Sequence, residues 1–167
     1  MLEHIWNGWR SSYISGLTSP IRTGDGSIFT QILNSGLSDE ATSIVHRGKQ
    51  VFAILNAFPY TCGHVLVLPY REVAELEHLT VEETAELWFA TTAAVRALKA
   101  AYTLDGLNVG LNLGRPAGGS VSEHLHVHVV PRWRGDANFM TTVANTRSLS
   151  EPLVDTAAKV RAAWPTS

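Results

Sequence analysis

Seven consecutive residues, His124-Leu125-His126-Val127-His128-Val129-Val130, set a histidine at every second position and an aliphatic residue between. Side chains of a β-strand alternate between its two faces, so an extended chain puts all three imidazoles on one face. Leu125, Val127 and Val129 then share the other face and can bury. Wound into a helix, the same residues scatter around the axis and the aliphatic ones share no stripe. The run therefore reads as a strand. Imidazoles about 6.6 Å apart along it make a row that accepts, donates or attacks near neutral pH. The plain alternative is an exposed strand face with incidental histidines, but three in a row exceed what packing needs.

Other segments follow the same logic. Residues 64–68 alternate too, with His64, Leu66 and Leu68 on one face and Val65 and Val67 on the other. Residues 44–45 and 50–56 read as a strand pair about the turn at Arg47-Gly48. Asp105-Gly106 turns the chain into a strand that separates Leu107, Val109, Leu111 and Leu113 from Asn108, Gly110 and Asn112. Residues 27–33 read as a short helix, broken at Asn34-Ser-Gly36. Residues 80–102 are the one long helix, opened by a Thr80–Glu83 capping box. Leu87, Trp88, Thr91, Val95, Leu98 and Tyr102 are expected as its buried stripe. Residues 152–164 read as a terminal helix. One helix on a mostly antiparallel sheet is an α+β domain.

A chain of 167 residues suits one domain with a core of its own. Residues 1–27 mix Trp6, Trp9 and Tyr13 with Gly, Ser and Thr, and read as an arm ahead of a domain at 28–167. A net charge of −2 advertises neither nucleic acid nor an anionic membrane as partner. The charged fraction is 17%, below the ~25% usual for globular chains, which suits a surface buried against another subunit. Cys62 is the single cysteine, so no internal disulfide forms and a reducing compartment fits. With no apolar signal-peptide core and no run long enough to span a bilayer, the expected location is cytoplasmic.

The histidine run resembles the signature of the histidine triad family, His-φ-His-φ-His-φ-φ with φ apolar. The resemblance extends to Gly63-His64-Val-Leu-Val-Leu-Pro69, Asn108-Val-Gly-Leu-Asn112-Leu-Gly114, the loop Ala117-Gly-Gly-Ser120 and the tail Val130-Pro-Arg-Trp-Arg-Gly-Asp-Ala-Asn-Phe-Met140. These stretches look like the branch of bacterial diadenosine polyphosphate phosphorylases and hydrolases. That resemblance implies a sheet of about five strands, one long helix packed on it and a C-terminal helix. It also implies nucleotidyl transfer from an adenine dinucleoside polyphosphate, with inorganic phosphate favoured over water as acceptor. A hydrolase or a purine nucleoside phosphoramidase is the alternative within the family. A non-catalytic nucleotide-binding protein is the alternative outside it, and a sensor has no need of a nucleophile.

By the resemblance His126 is the nucleophile, His128 helps the leaving phosphate depart, and His124 and His64 orient the row. Asn56, eight residues before His64, matches the ribose-binding position. Ile54 and Phe29 (with Ile32) are base-pocket candidates or plain core. Asn112, Gly118, Gly119 and Ser120 are candidates for the phosphates, since glycine lets the backbone approach closely. Trp133, with Arg132 and Arg134, lies directly after the strand and is a candidate for the second nucleotide. A homodimer or higher homo-oligomer is implied.

The chain departs from its relatives in two places. Many carry a Cys-x-x-Cys that helps hold a structural zinc, where Ser27 and Thr30 stand here. Hydroxyls are poor zinc ligands, so no resident metal is expected, only a divalent cation such as Mg2+ arriving with the substrate. Relatives also often have proline where Cys62 stands, and a thiol beside the site is expected to be sensitive to alkylation. A zinc site made from the triad itself is disfavoured, because its outer Cα atoms lie about 13 Å apart along a strand.

Overall fold

The computed structural model describes residues 26–119, 121–136 and 149–166. A short helix, α1 (Ile28–Leu33), and a single turn, α2 (Asp39–Thr42), lead into three strands, β1 (Ile44–Arg47), β2 (Val51–Leu55) and β3 (Val65–Pro69). The long helix α3 (Val81–Ala101) follows, then β4 (Gly106–Leu111), β5 (Val127–Arg132) and a last helix, α4 (Leu153–Ala162). The strands form one sheet in the order β1-β2-β3-β5-β4, and every pairing is antiparallel. The five-stranded sheet with a long and a C-terminal helix is the architecture expected from the sequence. Of the arm expected at 1–27, residues 1–25 lie outside the described residues.

Period-two burial divides the sheet into two cores. Val51, Ala53, Leu55, Val65, Val67, Val127 and Val129 face α3 and α4. Phe52, Ile54, Leu66 and Leu68 face the other way, where Ile44 and Phe29 of α1 close over them. Burying each such side chain contributes about 1.5–3 kcal/mol. The histidine row lies on this second face, so α1 roofs one end of it.

The capping box that opens α3 is present: Glu83 N–H donates to the Thr80 hydroxyl at 3.1 Å and Thr80 N–H to the Glu83 carboxylate at 2.8 Å. The stripe it buries differs from the expected one. Leu87, Thr91 and Leu98 are buried, but so are Ala90, Ala94 and Ala97, whereas Trp88 is 47% exposed. Small side chains bring the helix close to the sheet, and the indole is displaced to the flank.

Candidate active site

The strand register places the row. Val67 faces Val127 and Leu66 faces His128 across β3–β5. Continued by two residues, the ladder would set Leu125 opposite Pro69, which has no N–H to give. The strand accordingly begins at Val127, and only His128 of the three lies within it. His124 and His126 precede it in a segment held by other bonds. Leu125 N–H reaches the Val73 carbonyl at 2.7 Å, and the Pro69 carbonyl accepts from His124 instead. The alternation nevertheless survives, with Leu125, Val127 and Val129 in the helix-side core.

Four imidazoles lie together. Ring centroids are 4.8 Å apart for His126–His128 and 5.1 Å for His64–His128, and Phe29 meets His126 at 5.3 Å and His124 at 5.5 Å. Their hydrogen bonds assign the tautomers. His126 Nδ1–H donates to the His124 carbonyl at 2.8 Å, which leaves the lone pair on Nε2. His64 Nδ1 accepts from Tyr60 N–H at 3.1 Å, so its proton is on Nε2. That N–H donates to His128 Nδ1 at 2.9 Å. His128 is thereby protonated at Nε2, a buried atom with no hydrogen-bond partner among the described residues. His124, like His64, has both ring nitrogens bonded: Nε2–H donates to Pro69 at 2.8 Å and Nδ1 accepts from the Ser27 hydroxyl at 2.7 Å.

Burial keeps all four neutral. It pushes His64 down to about 3, with the charges of His128 and His126 adding, and His128 down to about 4, with His126 adding. His124 and His126 are also lowered, burial being the largest cause. A row in this state offers one nucleophilic nitrogen at His126 and one hydrogen-bond-donating N–H at His128.

The candidate binding residues fall in different places. Asn56 is beside the row, its amide nitrogen 3.3 Å from His64 Nδ1 and its carbonyl oxygen accepting from Phe58 N–H at 2.9 Å. Ile54 and Phe29 are buried in the histidine-side core. Asn112 and His128 line the same open cleft, about 320 Å³, with Tyr60, Asn108 and Arg132. A Cβ placed on Gly118 would come within 3.6 Å of the Asn112 amide, and Gly119 N–H donates to the Gly114 carbonyl at 3.3 Å. Ser120 lies outside the described residues. The Trp133 indole N–H donates to the Thr103 carbonyl at 2.7 Å and its ring meets Tyr102 edge-on. It is not among the residues lining the His128 cleft. Arg132 does line that cleft, but its guanidinium is paired with Asp136 at 2.6 Å.

Two residues escaped the sequence reading. Tyr60 lays its ring nearly parallel to His128, at 10° and 5.8 Å. Its only sequence signal is its place four residues before His64. Glu72 accepts from Ser27 N–H and the Thr30 hydroxyl, both at 2.7 Å, and no motif marks it.

Ser27 and Thr30 do not fit a zinc ion. Both hydroxyls are engaged, with His124 and with Glu72. Among the described residues no group of three or more His, Cys, Asp or Glu is arranged to hold a metal. The Cys62 thiol is also spoken for: it donates to Glu151 at 3.3 Å, and burial pushes its pKa up. The expected reactive thiol is thus a half-buried, protonated one. No described helix is long and apolar enough to cross a membrane.

The chain is 45% identical over 169 residues to a Mycobacterium tuberculosis protein named AP-4-A phosphorylase, covering 98% of this chain and 85% of that one. It is 36% identical over 85 residues to a Dictyostelium discoideum bis(5'-adenosyl)-triphosphatase, covering 51% of this chain and 56% of the other. Among solved structures, a zinc-bound histidine triad family protein from Mycobacterium smegmatis superposes with a TM-score of 0.66 at 26% identity, covering 83% of this chain and 92% of that one. The HIT domain model matches residues 38–135, which hold all five strands and the histidine row. The chain belongs to the histidine triad (HIT) family of nucleotide-processing enzymes.

Proposed function

We propose that this protein transfers a nucleotidyl group from a dinucleoside polyphosphate, with diadenosine tetraphosphate as substrate and inorganic phosphate as acceptor. The observation that carries the reading is the complementary tautomer pair, a lone pair on His126 Nε2 beside an N–H on His128 Nε2. In the first step the His126 lone pair attacks the α-phosphorus and a P–N bond forms. The P–O bond to the bridging oxygen breaks, and its electron pair leaves with ATP. His128 Nε2–H donates a hydrogen bond to that oxygen as charge develops. The His126 ring becomes cationic, and the His124 carbonyl on its Nδ1–H stabilises it. In the second step a phosphate oxygen attacks the same phosphorus, the P–N bond breaks and ADP is released.

The acceptor rests on likeness to the mycobacterial phosphorylase over nearly the whole chain. A divalent cation such as Mg2+ arrives with the polyphosphate. The outer edge of β4, the last strand of the sheet, is open, with Val109 43% exposed. A homodimer that continues the sheet across this edge fits both features. Incubation with diadenosine tetraphosphate and millimolar phosphate should give ADP plus ATP. AMP plus ATP as the sole products would make the protein a hydrolase, and no turnover would refute catalysis on this substrate.

A further inference from the structure

Behind the histidine row lies a cluster that the chemistry above does not use. Ser27 is the N-cap of α1, and its hydroxyl oxygen accepts from Thr30 N–H at 3.2 Å. The Thr30 hydroxyl and Ser27 N–H both donate to the same Glu72 oxygen at 2.7 Å. With its oxygen accepting, the Ser27 hydroxyl has one proton left, and it faces His124 Nδ1 at 2.7 Å. Both Ser27 and His124 are essentially inaccessible, at 1% and 0% exposure.

Gly26 is part of the device. Its φ is +96°, and a Cβ there would lie 2.8 Å from the Glu72 oxygen. Only glycine allows the carboxylate so near the start of the helix. The bonds then run onward. Ser27 fixes His124 Nδ1 as an acceptor, Pro69 takes the Nε2–H, and the His124 carbonyl receives Nδ1–H of His126.

We infer that Ser27, Thr30 and Glu72 are positioning residues for the nucleophile: they clamp His124 as a rigid strut whose carbonyl sets the tautomer and aim of His126. The inference rests on His126 as nucleophile and adds three residues that never touch substrate. Groups that orient a metal-ligating histidine from behind typically contribute 10- to 100-fold in activity, and the same scale is expected for a nucleophilic one.

Ser27→Gly separates this role from folding, because glycine is nearly as good an N-cap as serine and lacks only the hydroxyl. Expected are a kcat reduced about 10- to 100-fold, a nearly unchanged KM for diadenosine tetraphosphate and a melting transition that stays cooperative, lowered only by the unpaired His124 Nδ1. Nitrogen-15 NMR of the substrate-free protein should show His126 as a single Nδ1–H tautomer in the wild type and as a mixture in Ser27→Gly. Ser27→Thr, which keeps a hydroxyl, should restore both kcat and the single tautomer, and Glu72→Ala should resemble Ser27→Gly. Wild-type kcat in Ser27→Gly, an unaltered His126 tautomer, or a loss that Ser27→Thr does not restore overturns the inference. The NMR arm needs no substrate, so a wrong substrate assignment would appear as an inactive wild type with the tautomer result still readable.

Discussion

His64 Nε2 lies 2.9 Å from His128 Nδ1, and the direction of that hydrogen bond decides what His128 can do. Because Tyr60 N–H already donates to His64 Nδ1, the His64 proton must sit on Nε2 and point at His128. His128 is left with its own proton on Nε2. A backbone amide four residues from His64 therefore sets the hydrogen-bond donor of the site, two rings away.

If His128 serves the leaving oxygen, His128→Ala should lower kcat on diadenosine tetraphosphate by ~10²–10⁴. The loss should be larger with a nucleotide ester whose leaving group is poor, such as a plain phenolate, since that oxygen needs more help to depart than a terminal phosphate does. Equal losses on both substrates would show that His128 acts elsewhere in the reaction. Steady-state kinetics on the two substrates makes the comparison.

Stability should depend on pH in a specified direction. His64 and His128 are held down to about 3 and about 4 in the fold, against about 6.5 in an unfolded chain. The unfolded state therefore binds more protons between these values. Stability is full above about pH 6.5 and falls as the pH drops toward the folded values. Urea midpoints should be lower near about pH 5 than at neutrality, and His64→Gln should flatten the dependence. A midpoint independent of pH across this range would contradict the buried neutral row.

The Cys62 thiol donates to Glu151, which also binds Tyr102, Thr156 and Lys159. Burial and that carboxylate both hold it protonated, and the thiolate is the form that alkylates. Iodoacetamide at neutral pH should modify Cys62 far more slowly than a free thiol and leave turnover intact in the same interval. Rapid inactivation with adduct on Cys62 would overturn this.

The legible parts of the site are those with a local period. The alternation at 124–130 and 64–68 assigned faces correctly, because antiparallel pairing preserves period two even where the ladder stops at Pro69. The Thr80–Glu83 capping box is equally local. What stayed hidden depends on distance in three dimensions. Helical spacing did not reveal that Ala90, Ala94 and Ala97 face the sheet in place of Trp88, since the choice depends on how close the helix packs. Glu72 joins the site only because β3 ends at Pro69 and carries the chain past α1. Ser27 was visible merely as a missing zinc ligand, and its bond to His124 spans 97 residues.

That bond bears on metal content. With Ser27 and Thr30 engaged by His124 and Glu72, the protein purified without a histidine tag should contain no stoichiometric zinc. EDTA should leave its melting temperature unchanged. One tightly held zinc per chain, with unfolding on its removal, would contradict the assignment.

The central claim is that His126 Nε2 becomes covalently nucleotidylated. Its most direct test is to mix enzyme with diadenosine tetraphosphate labelled in the adenosine, without phosphate, quench in alkali and locate the label by peptide mass spectrometry. The account predicts one AMP moiety on the peptide containing His126, lost when phosphate is added before the quench and absent from His126→Ala. Turnover with no label on the protein, or label on another residue, would contradict it.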